Sequence, residues 1–349
     1  MEEKTLKFAT IFLAALTVSV CAMIPYLPTL HLREMEWRER RLGEEEFAAN
    51  QEQMQDLTVL EQNDAVNDKG MLSIRLPEGV DGSLVKISND YVRQTVRVEI
   101  PGTDMEYFEN HPISGGSNHI DTVSYVKNGE KGVIEIITDR VYELDTEYDT
   151  GYYYFNFLTP HEVYDKVVVV DAGHGGRAAG ATKKGINEKD IDLAIALKLQ
   201  EIFEGSGENI GVYFTRTDDS NPTFDQRVQL ANKSDADLFI SIHNNSTRSG
   251  RMSSIRGTQV MYDESSEASR RFAQICLEEV TGTIGSRDRG VVEGSSIYII
   301  RTSQVPVALI EVGFMTNQEE LNLLSTEEYQ AQSAQGIYKA VQRAFVEGY

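Results

Sequence analysis

The sequence predicts an α/β protein. Residues 166–349 should form a mostly parallel, twisted sheet of about six strands flanked by helices. Three observations carry that expectation. Aliphatic runs such as Val167-Val168-Val169-Val170 and Leu238-Phe239-Ile240-Ser241-Ile242 lack polar alternation, as strands buried on both faces do. Amphipathic stretches opened by helix-start residues lie between those runs. Ahead of them, over residues 70–160, apolar and polar residues alternate with period two, which marks a small all-β sandwich.

At the N-terminus, Lys4 and Lys7 precede an uncharged run from Phe8 to Ile24, long enough to cross a bilayer as one helix. Residues 1–30 are therefore expected to be a transmembrane signal anchor. The chain would then be a single-pass protein of the cell membrane, with its later domains outside the cytoplasm. Ser19 and Ala22 leave secretion after signal cleavage as the alternative. Arg33, Arg38, Arg40 and Arg41 oppose that orientation by the positive-inside rule, but large domains translocate despite such charges. Residues 31–69 are rich in Glu, Gln and Arg and read as a charged helical spacer, with Arg38–Glu46 helical and Gln51–Leu60 continuing it.

In the sandwich, the alternating segments are Met71–Leu76, Tyr91–Ile100, Val123–Val126, Gly132–Ile137 and Tyr152–Phe157. Pro77, Asp81-Gly82, Pro101-Gly102, Gly115-Gly116 and Asn128-Gly129 punctuate them as turns. His111 and His119 have no partner pattern and read as surface histidines. From Lys166 onward, Val167–Val170 is a strand and Glu188–Phe203 carries a helical apolar stripe. Ile210–Thr215 is a strand, and Thr223 with Gln226 is a capping box opening a helix through Lys233. Strands at Leu238–Ile242 and Gly257–Tyr262 precede a helix from Ser266 to Val280. Strands at Ile297–Ile300 and Val307–Ile310 follow, and capping boxes at Asn317…Glu320 and Ser325…Glu328 open the last helices.

Composition excludes some functions. A formal net charge of −22 and a pI near 4.7 would repel a polyanion, so no nucleic-acid partner is expected. Cys21 and Cys276 are far apart and form no CxxC pair, which leaves no disulfide framework or thiolate metal site. Gly173 to Ala178 satisfies the dinucleotide pattern G-x-G-x-x-A. The polar stretch Ala179–Asn187 delays the following helix, however, so a pyrophosphate would find no helix N-terminus and no nucleotide is expected.

The chemistry collects where strands end, as ligand sites in open α/β sheets do. His174 and His243 each follow an aliphatic run, and Glu311 ends a third. Glu188, at the start of the first helix, can fold back over the same edge. Two imidazoles and one carboxylate are a common hydrolytic zinc set, with a position left for water. A further carboxylate must then move the proton. His174, Glu188 and His243 are the candidate zinc ligands and Glu311 the candidate catalytic acid/base. Taken singly, each has an ordinary reading: a loop histidine, a helix-dipole charge, an ion-pair partner.

Together, these stretches resemble the zinc-dependent N-acetylmuramoyl-L-alanine amidases of the amidase-3 family. The likeness rests on Val169-Val170-Asp171-Ala172-Gly173-His174-Gly175-Gly176, Asn187-Glu188-Lys189-Asp190, Arg227-Val228 with Ala231-Asn232, Ala236 to His243, Asp288-Arg289-Gly290-Val291, and Glu311 to Asn317. The resemblance implies hydrolysis of the amide between N-acetylmuramic acid and L-alanine of peptidoglycan stem peptides. It implies the same three zinc ligands and the same acid/base, with Asn245 and Arg289 as substrate-binding residues. It also implies peptidoglycan as partner, and the sandwich resembles the AMIN domain of such amidases. A non-catalytic peptidoglycan-binding scaffold on the same fold is the alternative function. It should have lost a metal position, and this chain has not. The stretch 244–256 is too short for the autoinhibitory helix that some relatives insert there.

Overall fold

The computed structural model describes residues 54–57, 59–60, 71–116, 118–128 and 131–349. The apolar run 8–24 and the spacer through residue 53 lie outside the described residues. Among the described residues, no helix is long and apolar enough to cross a membrane.

The first half is a pair of sheets. Its strands are β1 (Met54–Asp56), β2 (Val59–Leu60), β3 (Leu72–Arg75), β4 (Lys86–Asp90), β5 (Thr95–Glu99), β6 (Ile113–Gly115), β7 (Ile120–Asn128), β8 (Lys131–Thr138), β9 (Glu143–Tyr148) and β10 (Tyr152–Leu158), with helix α1 (Met105–Asn110) before β6. One five-stranded sheet runs β1-β7-β8-β5-β4 and the other β2-β6-β3-β10-β9. Leu72, Ile74, Val96, Val98, Ile134, Ile136, Phe155 and Phe157 fill the space between them. Two expectations are corrected here. Residues 54–56 and 59–60 are strands rather than helix, because Met54–Asp56 completes an antiparallel edge on β7 and Val59–Leu60 a parallel edge on β6. A sheet edge offers ladder hydrogen bonds that override weak local helix propensity. His111 and His119 are half-buried rather than surface groups. His111 Nδ1 lies 3.0 Å from the Tyr107 carbonyl and His119 Nδ1 2.8 Å from the Tyr142 hydroxyl.

The second half comprises α2 (Pro160–Val163), β11 (Lys166–Ala172), β12 (Thr182–Lys183), β13 (Ile186–Asn187), α3 (Glu188–Ser206), β14 (Ile210–Phe214), α4 (Phe224–Lys233), β15 (Leu238–Asn245), β16 (Thr258–Tyr262), α5 (Glu267–Ile284), β17 (Asp288–Glu293), α6 (Tyr298–Thr302), β18 (Val307–Phe314), α7 (Gln318–Leu324) and α8 (Glu327–Val346). Its six-stranded sheet runs β14-β11-β15-β18-β16-β17. Every neighbouring pair is parallel except β16 with β18, which makes the sheet mixed.

Alternation within the aliphatic runs explains the layers, since successive side chains point to opposite faces. Val168, Val170, Leu238, Ile240, Ala308 and Ile310 pack with α3, α5 and α8. Val167, Val169, Phe239, Val307 and Leu309 pack on the other face with Val228 and Leu230 of α4 and Ile299 and Ile300 of α6. Val141, from the loop before β9, is buried in that second cluster, and its N–H donates to the Lys233 carbonyl at 3.1 Å. Tyr213 donates its hydroxyl to Glu143 at 2.6 Å and meets Tyr91 edge-on at 4.9 Å. The two halves thus share core.

Three local expectations change. Ile297–Ile300 is not a strand: residues 298–302 are helical, and Asp288–Glu293 takes the sheet edge instead. A short apolar run serves equally as the buried side of a helix, and the edge beside β16 was already filled. The Thr223–Gln226 capping box forms as expected. Asn317 caps α7, but Glu320 turns inward to the Phe314 and Gly257 amides, and Thr326 rather than Ser325 caps α8.

Phe239 is fully buried on β15, four residues before His243 in sequence. Phe239→Ala should cost about 3–5 kcal/mol, read as a lowered urea midpoint. A loss under about 1 kcal/mol would mean this layer is not packed as described.

Candidate active site

Three neighbouring strands deliver the site. Gly173 and His174 follow the end of β11, His243 lies near the end of β15, and Glu311 on β18 is its register neighbour. Glu188 opens α3 behind them. Its Oε1 lies 3.1 Å from His174 Nε2 and 3.2 Å from His243 Nδ1, so two imidazole nitrogens converge on one oxygen. A tetrahedral ion with bonds of about 2.0–2.1 Å sets its donors roughly 3.3 Å apart, and the observed spacing fits that. Asp192, one turn further along α3, contributes a carboxylate to the same group, all four ligand atoms lying within 4.8 Å of one another. Side-chain exposure falls from 25% at His174 and 17% at His243 to 7% at Glu188, so the centre opens to solvent on its imidazole side.

Backbone and charge hold these groups in place. Glu188 Oε2 accepts the Ala181 N–H at 2.7 Å, and Oε1 accepts the Asn244 N–H at 3.1 Å. Burial opposes the Glu188 charge, but the two imidazoles hold its carboxyl well below the usual range. Burial pushes His243 down, towards the neutral imidazole that a metal requires. Glu311 is pushed well up, by burial first and then by the Glu188 charge, and its Oε2 is shielded without a hydrogen-bond partner. Two glycines admit the ligands: a Cβ on Gly173 would fall 2.6 Å from both ring nitrogens of His243, and one on Gly180 2.6 Å from Glu188 Oε2.

Residues 168–343 match the family model described as N-acetylmuramoyl-L-alanine amidase, half of the chain. The chain belongs to that amidase family. It is 39% identical over 178 residues to the uncharacterized protein YqiI of Bacillus subtilis (strain 168), covering 50% of this chain and 83% of that protein. It is 33% identical to N-acetylmuramoyl-L-alanine amidase LytC of the same organism, over 50% of this chain and 35% of LytC. The crystal structure of N-acetylmuramoyl-L-alanine amidase from Clostridium difficile 630 superposes with a TM-score of 0.50 at 34% identity. It covers 53% of this chain and 98% of that one.

Within the amidase domain, His174, Glu188, His243 and Glu311 come together. Asn245 and Arg289 show other contacts. Asn245 closes β15, its carbonyl accepting the Met315 N–H at 2.8 Å. Arg289 lies on edge strand β17 with its guanidinium 5.2 Å above the Phe314 ring and its Nε shielded and unpartnered. Four polar residues beside the ligands had no role assigned from sequence: Asp171, Asp192, Arg216 and Arg227. Only Asp192 carried a usable signal, since its spacing of one helical turn places it on the face of Glu188.

The arginines act as a brace. Arg227 Nη1 donates to Asp171 Oδ1 at 2.6 Å and its Nη2 to the His174 carbonyl at 2.6 Å. Arg216 donates to the carbonyls of Ala172 at 2.9 Å and Gly173 at 2.7 Å. The brace offsets strain, because His174 adopts a φ of 58°, a left-handed conformation costing about 1–3 kcal/mol outside glycine. Burial would raise Asp171, yet Arg227 together with the Ser241 and Thr215 hydroxyls holds it down at about 2. Arg227→Met would leave the Asp171 charge buried and unpaired, at a cost of about 3–5 kcal/mol in a denaturant titration. A near-neutral result would show that the loop does not depend on this pair.

Proposed function

We propose that this chain is a zinc-dependent N-acetylmuramoyl-L-alanine amidase acting on the amide between the lactyl group of N-acetylmuramic acid and L-alanine of the stem peptide. Membership of the amidase family supports the reaction class. The observation supporting a metal is the meeting of His174 Nε2 and His243 Nδ1 at Glu188 Oε1. These three residues would hold the ion, and their nitrogen and oxygen donors suit zinc. When bound, zinc would lower the pKa of water towards neutrality and polarise a carbonyl.

The chain's own groups supply the proton transfers. The Glu311 carboxylate, register neighbour of His243, would accept the proton of the attacking water as the oxygen adds to the amide carbon. Collapse breaks the carbon–nitrogen bond, and Glu311 returns the proton to the departing L-alanine nitrogen. The products are a lactyl carboxylate and a free stem peptide. Asn245 and Arg289 would orient the substrate, the guanidinium of Arg289 being suited to a peptide carboxylate. The chain would be held at the membrane by residues 1–30, its catalytic domain outside the cytoplasm, and residues 70–160 would serve as an AMIN-like targeting domain.

Glu311→Gln keeps the shape and removes the base. Release of free stem peptide from purified peptidoglycan should fall about 10²–10⁴-fold while bound zinc stays equimolar. Unchanged release by this variant would remove Glu311 from the mechanism. New peptide carboxyls in place of lactyl carboxyls, read by mass spectrometry, would reassign the bond cleaved.

A further inference from the structure

Asp192 is fully buried on α3. Its Oδ1 accepts the Asn244 side-chain N–H at 2.8 Å, and its Oδ2 has no partner. Among the described residues no arginine or lysine forms an ion pair with it; the nearby Arg216 spends its guanidinium on the carbonyls of Ala172, Gly173, Lys189 and Asp218. A buried carboxyl beside Glu188 and Glu311 is costly to maintain. Its hydrogen bond to Asn244 leads to the metal-type centre, since Asn244 also gives its backbone N–H to Glu188 Oε1 at 3.1 Å.

That backbone amide needs an anchor. The pairing of β15 with β18 shifts register between His243 and Asn245, so the ladder is interrupted at Asn244. Freed from the ladder, the amide can turn to Glu188, and the side-chain bond to Asp192 fixes the residue that carries it. The chain of contacts runs Asp192 Oδ1, Asn244 Nδ2, Asn244 N–H, Glu188 Oε1.

We propose that Asp192 is a positioning residue that sets the metal affinity of the centre by locking Asn244 against Glu188. The inference rests on the metal-centre reading above. Outer partners of this kind are worth about 10–100-fold in metal affinity. The supporting geometry also makes a specific demand: Asp192 acts as a hydrogen-bond acceptor, so its charge is dispensable and its Oδ1 is not.

The test is the zinc dissociation constant of the full chain, measured by competition with a chromogenic chelator, for wild type, Asp192→Ala, Asp192→Asn and Asn244→Ala. Asp192→Ala and Asn244→Ala should each weaken zinc binding about 10–100-fold, with Asp192→Asn within about threefold of wild type. Circular dichroism of the metal-free forms shows which variants fold. Should Asp192→Ala fail to fold, Asn244→Ala against Asp192→Asn carries the comparison. Wild-type affinity in Asp192→Ala or Asn244→Ala overturns the proposal. So does an Asp192→Asn as weak as Asp192→Ala, which would make the carboxylate a direct ligand. A wild-type chain that takes up no zinc overturns the metal-centre reading itself, and this proposal with it.

Discussion

Glu188 Oε1 faces His174 Nε2 at 3.1 Å, His243 Nδ1 at 3.2 Å and the Asn244 amide at 3.1 Å. A carboxylate that is 7% exposed survives only where donors or positive charge surround it, and here the donors come from two segments, the loop after β11 and strand β15. The chemistry therefore depends on the loop after β11, strand β15 and helix α3 meeting at one oxygen. Parallel strands supply that placement. The carboxyl ends of β11, β15 and β18 lie side by side, and the residues just beyond or within them inherit the spacing of the ladder.

Positioning continues outward from the ligands. His174 occupies a backbone conformation that side chains disfavour, and two buried arginines hold the carbonyls on either side of that turn. Arg227 links the turn to Asp171, which also accepts the Ser241 hydroxyl of β15 at 2.6 Å. One charged pair thus couples the strand carrying His243 to the loop carrying His174. The sandwich joins this scaffold through Val141 and the Tyr91–Glu143–Tyr213 contacts, so the first half of the chain packs on the face opposite α3.

Much of this was legible in the sequence, and the reasons are specific. Val167–Val170, Leu238–Ile242 and Val307–Ile310 are apolar without period-two alternation because both faces are covered, and the catalytic-type residues stand where those runs stop. Ile297–Ile300 misled because a brief aliphatic run has no length over which period two and period 3.6 diverge. The true edge strand, Asp288–Glu293, is polar and largely half-exposed, and carries little apolar signal. The short strands at residues 54–60 owe their form to the sheets they join. Arg216 and Arg227 look like ordinary surface charges in one dimension. Their burial arises only when helices and loops close over the strand ends.

The direct test of the convergence at Glu188 is anomalous diffraction at the zinc edge from crystals of the zinc-loaded chain. The account predicts one strong peak bonded to His174 Nε2, His243 Nδ1 and the Glu188 carboxylate. No peak at that position, or a zinc ion held by other side chains while either imidazole points away, would contradict it.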